Sequence, residues 1–152
     1  MDKLEYIPGD LVMTNGVPLG TAKDVVYRVT SSDPSKTLKL DDGIVLKGVV
    51  CLENIEGAEF GDKGYLLGEC CAWVKDIVPI HLTTEILAKN GWSRERIYFK
   101  NRWIPRIELC TADSGVSWSV SINDDIMGSY INYVHQLQHI LFAFGIEEEM
   151  EV

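Results

Sequence analysis

The sequence lacks most of the short motifs that announce an activity. Ser114 stands between Asp113 and Gly115 but not in Gly-x-Ser-x-Gly, so there is no nucleophile elbow. No glycine-rich phosphate loop occurs. The four cysteines, Cys51, Cys70, Cys71 and Cys110, form no Cys-x-x-Cys pair, which removes the commonest zinc and redox signatures. The opening Met-Asp-Lys-Leu-Glu-Tyr has no basic segment followed by an apolar one, so no signal peptide is expected. Apolar runs such as Ile140 to Phe144 fall far short of the roughly 20 residues that cross a bilayer. Internal repeats and low-complexity segments are missing too. These absences lead to the expectation of a cytoplasmic protein with no membrane segment, no cofactor and free, buried thiols.

What is present suits a folded, acidic protein. The chain has 152 residues, 46% of them apolar, and a net charge of −9. That length holds one domain or two small ones. Both halves are acidic, −5 over residues 1–76 and −4 over residues 77–152, so there is no basic tail of the nucleic-acid-binding kind.

Residues 1–78 read as a small β-barrel of SH3-like size. Pro8-Gly9-Asp10 is a turn before Leu11-Val12-Met13, and Asn15-Gly16 is a tight-hairpin signal. A β-branched, aromatic strand spans 24–30, and Asp33-Pro34-Ser35 breaks it. Asp41-Asp42-Gly43 joins strands at 37–40 and 44–52. Glu53, Glu56, Glu59 and Asp62 suit a solvated loop and lack calcium-loop spacing. A longer strand spans 65–78 and carries vicinal Cys70 and Cys71. Their side chains point to opposite faces, and flanking Leu66, Leu67, Ala72 and Trp73 predict burial.

Residues 79–152 read as an α+β unit. Thr83 is the expected N-cap of a short helix closed by Gly91, with Leu82 and Leu87 at staple positions. Strands follow near 96–100, 103–111, 116–123 and 126–131. In the third, Val116, Trp118, Val120 and Ile122 alternate with serines, which places those four toward the core. The longest helix-period segment is 132–144, with Asn132 as cap, Gly145 as C-terminal stop, and an apolar stripe of Tyr133, Val134, Leu137, Ile140, Leu141 and Phe144. The rest of the chain is expected to pack against it.

Two stretches carry candidate chemistry. Trp92, Arg94, Arg96, Tyr98, Lys100, Arg102 and Arg106 form a basic stretch interleaved with aromatics; residues 94–106 hold five cations against one acid. Such a face can stack bases and neutralise phosphates, contact an acidic partner, or simply be solvated. His135 and His139 stand four apart on the predicted helix, the spacing that lets two imidazoles share a metal. Gln136 occupies the place of the general base, so hydrolase chemistry of the His-Glu-x-x-His kind is excluded. His81, Asp124 and Asp125 are the available third ligands; the alternative is two surface histidines on the polar side of the helix.

Ile80-His-Leu-Thr-Thr-Glu-Ile-Leu-Ala-Lys-Asn-Gly-Trp92, Tyr133-Val-His-Gln-Leu-Gln-His139, Gly145-Ile-Glu-Glu-Glu and Gly9-Asp-Leu-Val12 together resemble a group of small uncharacterised proteins of gut Bacteroidales, found in prophage-like or mobile regions. His139 departs from that pattern, in which Asn is common. The resemblance implies a fold layout and a phage-like or mobile-element context, and no activity. The expected function is a non-enzymatic module that binds a protein partner, with nucleic-acid binding through 92–106 as the alternative.

Overall fold

The computed structural model describes residues 5–16, 25–55, 70–94, 98–99, 106–111, 115–146 and 148–152. The chain divides into two compact units, residues 1–80 and 81–152. Each has antiparallel pairing throughout, and strands account for 48% of the described residues.

In the first unit, strands β1 (Leu11–Thr14), β2 (Tyr27–Lys39), β3 (Val45–Asn54), β4 (Cys70–Trp73) and β5 (Ile77–Pro79) lie in the order β4-β3-β2-β1-β5. Among the described residues the outer strands β4 and β5 do not pair with each other. The sheet is open, and the expected SH3-like barrel is not formed. Pro34 explains part of the difference. It was expected to break the strand, but β2 runs on through it for 13 residues. The register against β3 shifts between Asp33 and Thr37, so an irregularity takes up the residue that has no N–H to give the ladder. Asp33 Oδ1 accepts from Ser35 N (3.0 Å) and Ser35 Oγ (2.7 Å) within it. The hairpin at Asp41-Asp42-Gly43 forms as expected, with Asp42 Oδ1 accepting from Ile44 N and Gly43 at φ +87°. Asn15-Gly16 does not make a two-residue turn, because β1 ends at Thr14 and β2 begins at Tyr27.

The core of this unit is Tyr6, Val12, Tyr27, Val29, Val50, Leu52, Ala72 and Ile77. Where a single strand was expected over 65–78, β4 gives way to a 3-10 turn (Val74–Asp76) and then β5.

Asp76 is buried beside this turn. Its Oδ1 accepts from Asn15 Nδ2 (2.7 Å) and Lys75 Nζ (2.9 Å), and its carbonyl accepts from Asn15 N (3.0 Å). Burial pushes the carboxyl up, but the bonds from Lys75 and Asn15 and the Lys75 charge together outweigh it and hold the group below its ordinary range. A carboxyl lowered in the folded state stabilises above the ordinary value of about 4 and loses that contribution as pH falls through the folded one. We expect Asp76→Asn to make the acid limb of a urea-unfolding series shallower below about pH 5 than in the parent.

The cysteines also depart from expectation. Cys51 and Cys71 are directly opposite across β3 and β4 and form a disulfide with Cα atoms 4.0 Å apart. Adjacent residues point to opposite faces, so only one of the vicinal pair meets Cys51. Cys71 is exposed rather than buried; Cys70 is half-buried and free, and Cys110 is free and exposed.

In the second unit, β6 (Ser93–Arg94), β7 (Tyr98–Phe99), β8 (Ile107–Cys110), β9 (Trp118–Ile122) and β10 (Asp125–Ile131) lie in the order β10-β9-β8-β7-β6. Two short helices, α1 (Thr84–Lys89) and α2 (Val134–Ala143), accompany them. The fold is thus mostly antiparallel sheet, not an α+β layout joined to a barrel. Strand β9 starts at Trp118, and Val116 is 57% exposed instead of in the core, whereas Trp118 and Val120 are fully buried. Asn123 and Asp124 link β9 to β10 with φ of 50° and 72°, positive at both positions as a type I′ turn requires.

Helix ends follow their capping chemistry. Thr83 Oγ1 accepts from Ile86 N (3.2 Å). At the C-terminus of α1, Gly91 N donates to Ala88 O and Trp92 N to Leu87 O, with Gly91 at φ +79°, a complete Schellman motif. Gly145 ends α2 in the same way, with bonds from Gly145 N to Phe142 O and from Ile146 N to Leu141 O. At its start the cap is Tyr133 rather than Asn132, and Gln136 Oε1 accepts from the backbone of both Asn132 (2.7 Å) and Tyr133 (3.1 Å). Val134, Leu137 and Leu141 are buried as expected; Phe144, expected in the stripe, is exposed.

Asn90 ties the last residues to α1. Its amide donates to Glu151 O (2.7 Å) and accepts from Glu151 N (2.8 Å), and Lys89 Nζ donates to Val152 O (3.0 Å). Met150 beside them is buried. Asn90→Ala should therefore accelerate hydrogen exchange at the Glu151 amide at least tenfold and cost about 1–2 kcal/mol.

Candidate functional site

The basic-aromatic stretch and the histidine pair lie in the second unit. Trp92, the expected start of a stacking face, is only 5% exposed and follows the Schellman turn of α1. An indole buried to that degree offers no free π-face to a base. Arg94 pairs with Tyr98 across β6 and β7. Arg96, Lys100 and Arg102 lie outside the described residues. Arg106 makes an ion pair with Glu108, whose side chain is largely buried in β8, and its backbone is bonded on both sides to Asn123. Arg106 thus balances a carboxylate of its own unit, the structural reading of a cation in this stretch.

All three histidines fall in one row of rings. His81 forms an isolated antiparallel bridge with Tyr133, their ring centroids 5.2 Å apart. Tyr133 stacks on His135 at 5.8 Å, and His135 meets His139 edge-on at 5.5 Å. His135 is 3% exposed, not on the polar side of the helix as expected. The bridge draws the start of α2 inward, a tertiary effect that a helical wheel does not contain. Among the described residues no group of three His, Cys, Asp or Glu side chains could hold a metal. Asp124 instead lies in the β9–β10 turn and Asp125 opens β10. The ring of Tyr133 lies between His81 and His135.

A third surface, in the first unit, was not singled out from the sequence. Beyond the register shift, β2 and β3 pair only with each other among the described residues and form a two-stranded arm. Leu38 faces Leu46, and Leu40 and Ile44 follow two residues on, so these four aliphatic side chains share one face of the arm. Thr37, Lys39, Val45 and Lys47 share the other. On the first face Leu38 is 48% exposed, Leu40 37% and Ile44 55%, while Leu46, nearer the root, is buried. Residues 33–48 carry three aspartates and three lysines, a net charge of zero within a chain of −9. The alternation Leu38, Leu40 and Ile44, Leu46 was the available signal.

At the root of the arm, Glu5, Tyr6, Ser32, Pro34, Lys47, Gly48 and Val74 line an open groove of about 210 Å³. No helix of the described residues is long and apolar enough to cross a membrane. Comparison with protein-family models, with curated proteins and with solved structures gave no match to the chain. The fold and its surfaces thus define a protein of two antiparallel β units, one of which carries an apolar arm.

Proposed function

We propose that the protein is a non-enzymatic protein-interaction module that binds its partner through the β2–β3 arm. One observation carries the reading: the outer part of the arm leaves Leu38, Leu40 and Ile44 exposed together on one uncharged face, on two strands that pair with no third strand among the described residues. A two-stranded ribbon is marginal in water by itself, and covering such a face stabilises it at about 25 cal/mol per Å² of apolar surface. The expected partner is a protein with an apolar, uncharged surface. Asp41 and Asp42 at the tip disfavour an anionic lipid surface, and the zero net charge of the arm disfavours phosphate. Nucleic-acid binding through 92–106 remains the alternative, with less support, since Trp92 is buried and Arg106 is engaged by Glu108. The mobile-element setting suggested by the family resemblance is part of the proposal and gives it no physical support.

A second copy of the chain presents the same face and is the partner to test first. We expect sedimentation equilibrium of the untagged protein to show reversible self-association that Leu38→Ser with Ile44→Ser weakens at least tenfold. Unaltered association in that variant, with its thermal unfolding within 2 °C of the parent, would remove the arm from the contact.

A further inference from the structure

We propose that Cys51 and Cys71 form a reversible thiol–disulfide exchange site whose substrate is a dithiol reductant. The proposal is independent of the arm and rests on where the pair lies. Val50, Leu52 and Ala72 alternate with the two cysteines and belong to the core, so the disulfide sits on the other face of the sheet. Cys71 is exposed and lies on β4, the outermost strand among the described residues, while Cys51 is half-buried on its neighbour. An incoming thiolate therefore has access to Cys71 Sγ first.

The strands do not need the bond to stay in register. Val49 with Trp73, Val50 with Ala72 and Leu52 with Cys70 pair on either side of the cysteines. Breaking the disulfide removes no core residue and leaves the two thiols facing each other, ready to re-form it. Cys70 lies opposite Leu52 on the core side, so it is not positioned to compete for Cys71.

The chemistry balances as an ordinary exchange. One thiolate of the dithiol attacks Cys71 Sγ and displaces Cys51 as a thiolate, giving a mixed disulfide. The second thiol of the reductant attacks its own sulfur in that mixed disulfide and releases Cys71 as a thiolate. Two electrons pass from the dithiol to the pair, the dithiol becomes a disulfide, and its two protons end on Cys51 and Cys71.

The test uses the full native chain, incubated with dithiothreitol, quenched with N-ethylmaleimide and mapped by mass spectrometry, with far-UV circular dichroism alongside. Cys51 and Cys71 should become labelled together while the dichroism is unchanged, and re-oxidation should remove both labels. A parallel incubation with a Cys-x-x-Cys protein dithiol at equal concentration identifies the source: a faster reaction there assigns a protein reductant, an equal or slower one a small dithiol. Labelling of the pair only after denaturant has unfolded the chain would overturn the proposal, and so would labelling before any reductant is added. In Cys51→Ser, Cys71 should be trapped as a mixed disulfide by oxidised glutathione at least tenfold faster than Cys70; the reverse order would also overturn it. Cys70→Ser should leave the parent behaviour unchanged.

Discussion

Trp118→Ala should destabilise the second unit by about 3–5 kcal/mol, the largest single loss we expect from this chain. Trp118 is fully buried on β9, and its Nε1 donates to Leu82 O at 3.0 Å. Leu82 is the residue just before the Thr83 cap, is itself fully buried, and donates its N–H to Asn132 O, at the entry to α2. The indole thus fills space on the sheet and fixes the chain where α1 begins. Replacing it with alanine removes the packing and leaves a buried carbonyl without its donor. Trp118→Phe separates the two effects, since most of the volume stays and the bond goes; a loss of about 1–3 kcal/mol is expected. Urea unfolding followed by hydrogen exchange of the α1 amides reads both. A Phe variant as unstable as the Ala variant would show that the hydrogen bond dominates.

Gly48→Ala should cost about 2–4 kcal/mol and act on the first unit. Gly48 is buried on β3 at φ +83°, where a side chain meets its own backbone. A Cβ built there would also approach Val74 Cγ2 at 2.8 Å. The two penalties separate: Val74→Ala removes the steric one and leaves the backbone one. The double variant Gly48→Ala with Val74→Ala should therefore be less unstable than the sum of the two single changes by about 1 kcal/mol or more. Strict additivity, measured by denaturant unfolding, would contradict this account of the position.

Local chemistry was legible in the sequence wherever one residue type decides it. Thr83, Gly91 and Gly145 were identified because caps depend on an oxygen acceptor or on freedom at positive φ, both written in the residue itself. The Asp41-Asp42-Gly43 hairpin and the burial of Trp118 and Val120 were legible for similar reasons. What failed depended on distant partners. Closure of the first sheet turns on whether its outer strands meet, and no local pattern records that. Pro34 by itself predicts a break because its missing N–H is local; the register shift that absorbs it needs Gly48 and Val49 opposite. His135 was placed outward by a helical wheel, but a bridge between His81 and Tyr133, fifty-two positions apart, sets its burial. The Cys51–Cys71 bond required a strand register that spacing alone did not give. The arm was half legible: its hairpin was expected, but the exposure of Leu38, Leu40 and Ile44 depends on which residues pack elsewhere in the unit.

The most direct test of the arm places a photo-cross-linking residue at Ile44 on the aliphatic face and, separately, at Thr37 on the opposite one. We predict protein adducts from position 44, either to a second copy or to a different chain, that Leu38→Ser removes and that position 37 does not give. Equal adducts from the two positions, or none from position 44 at concentrations where the protein is folded, would contradict the account.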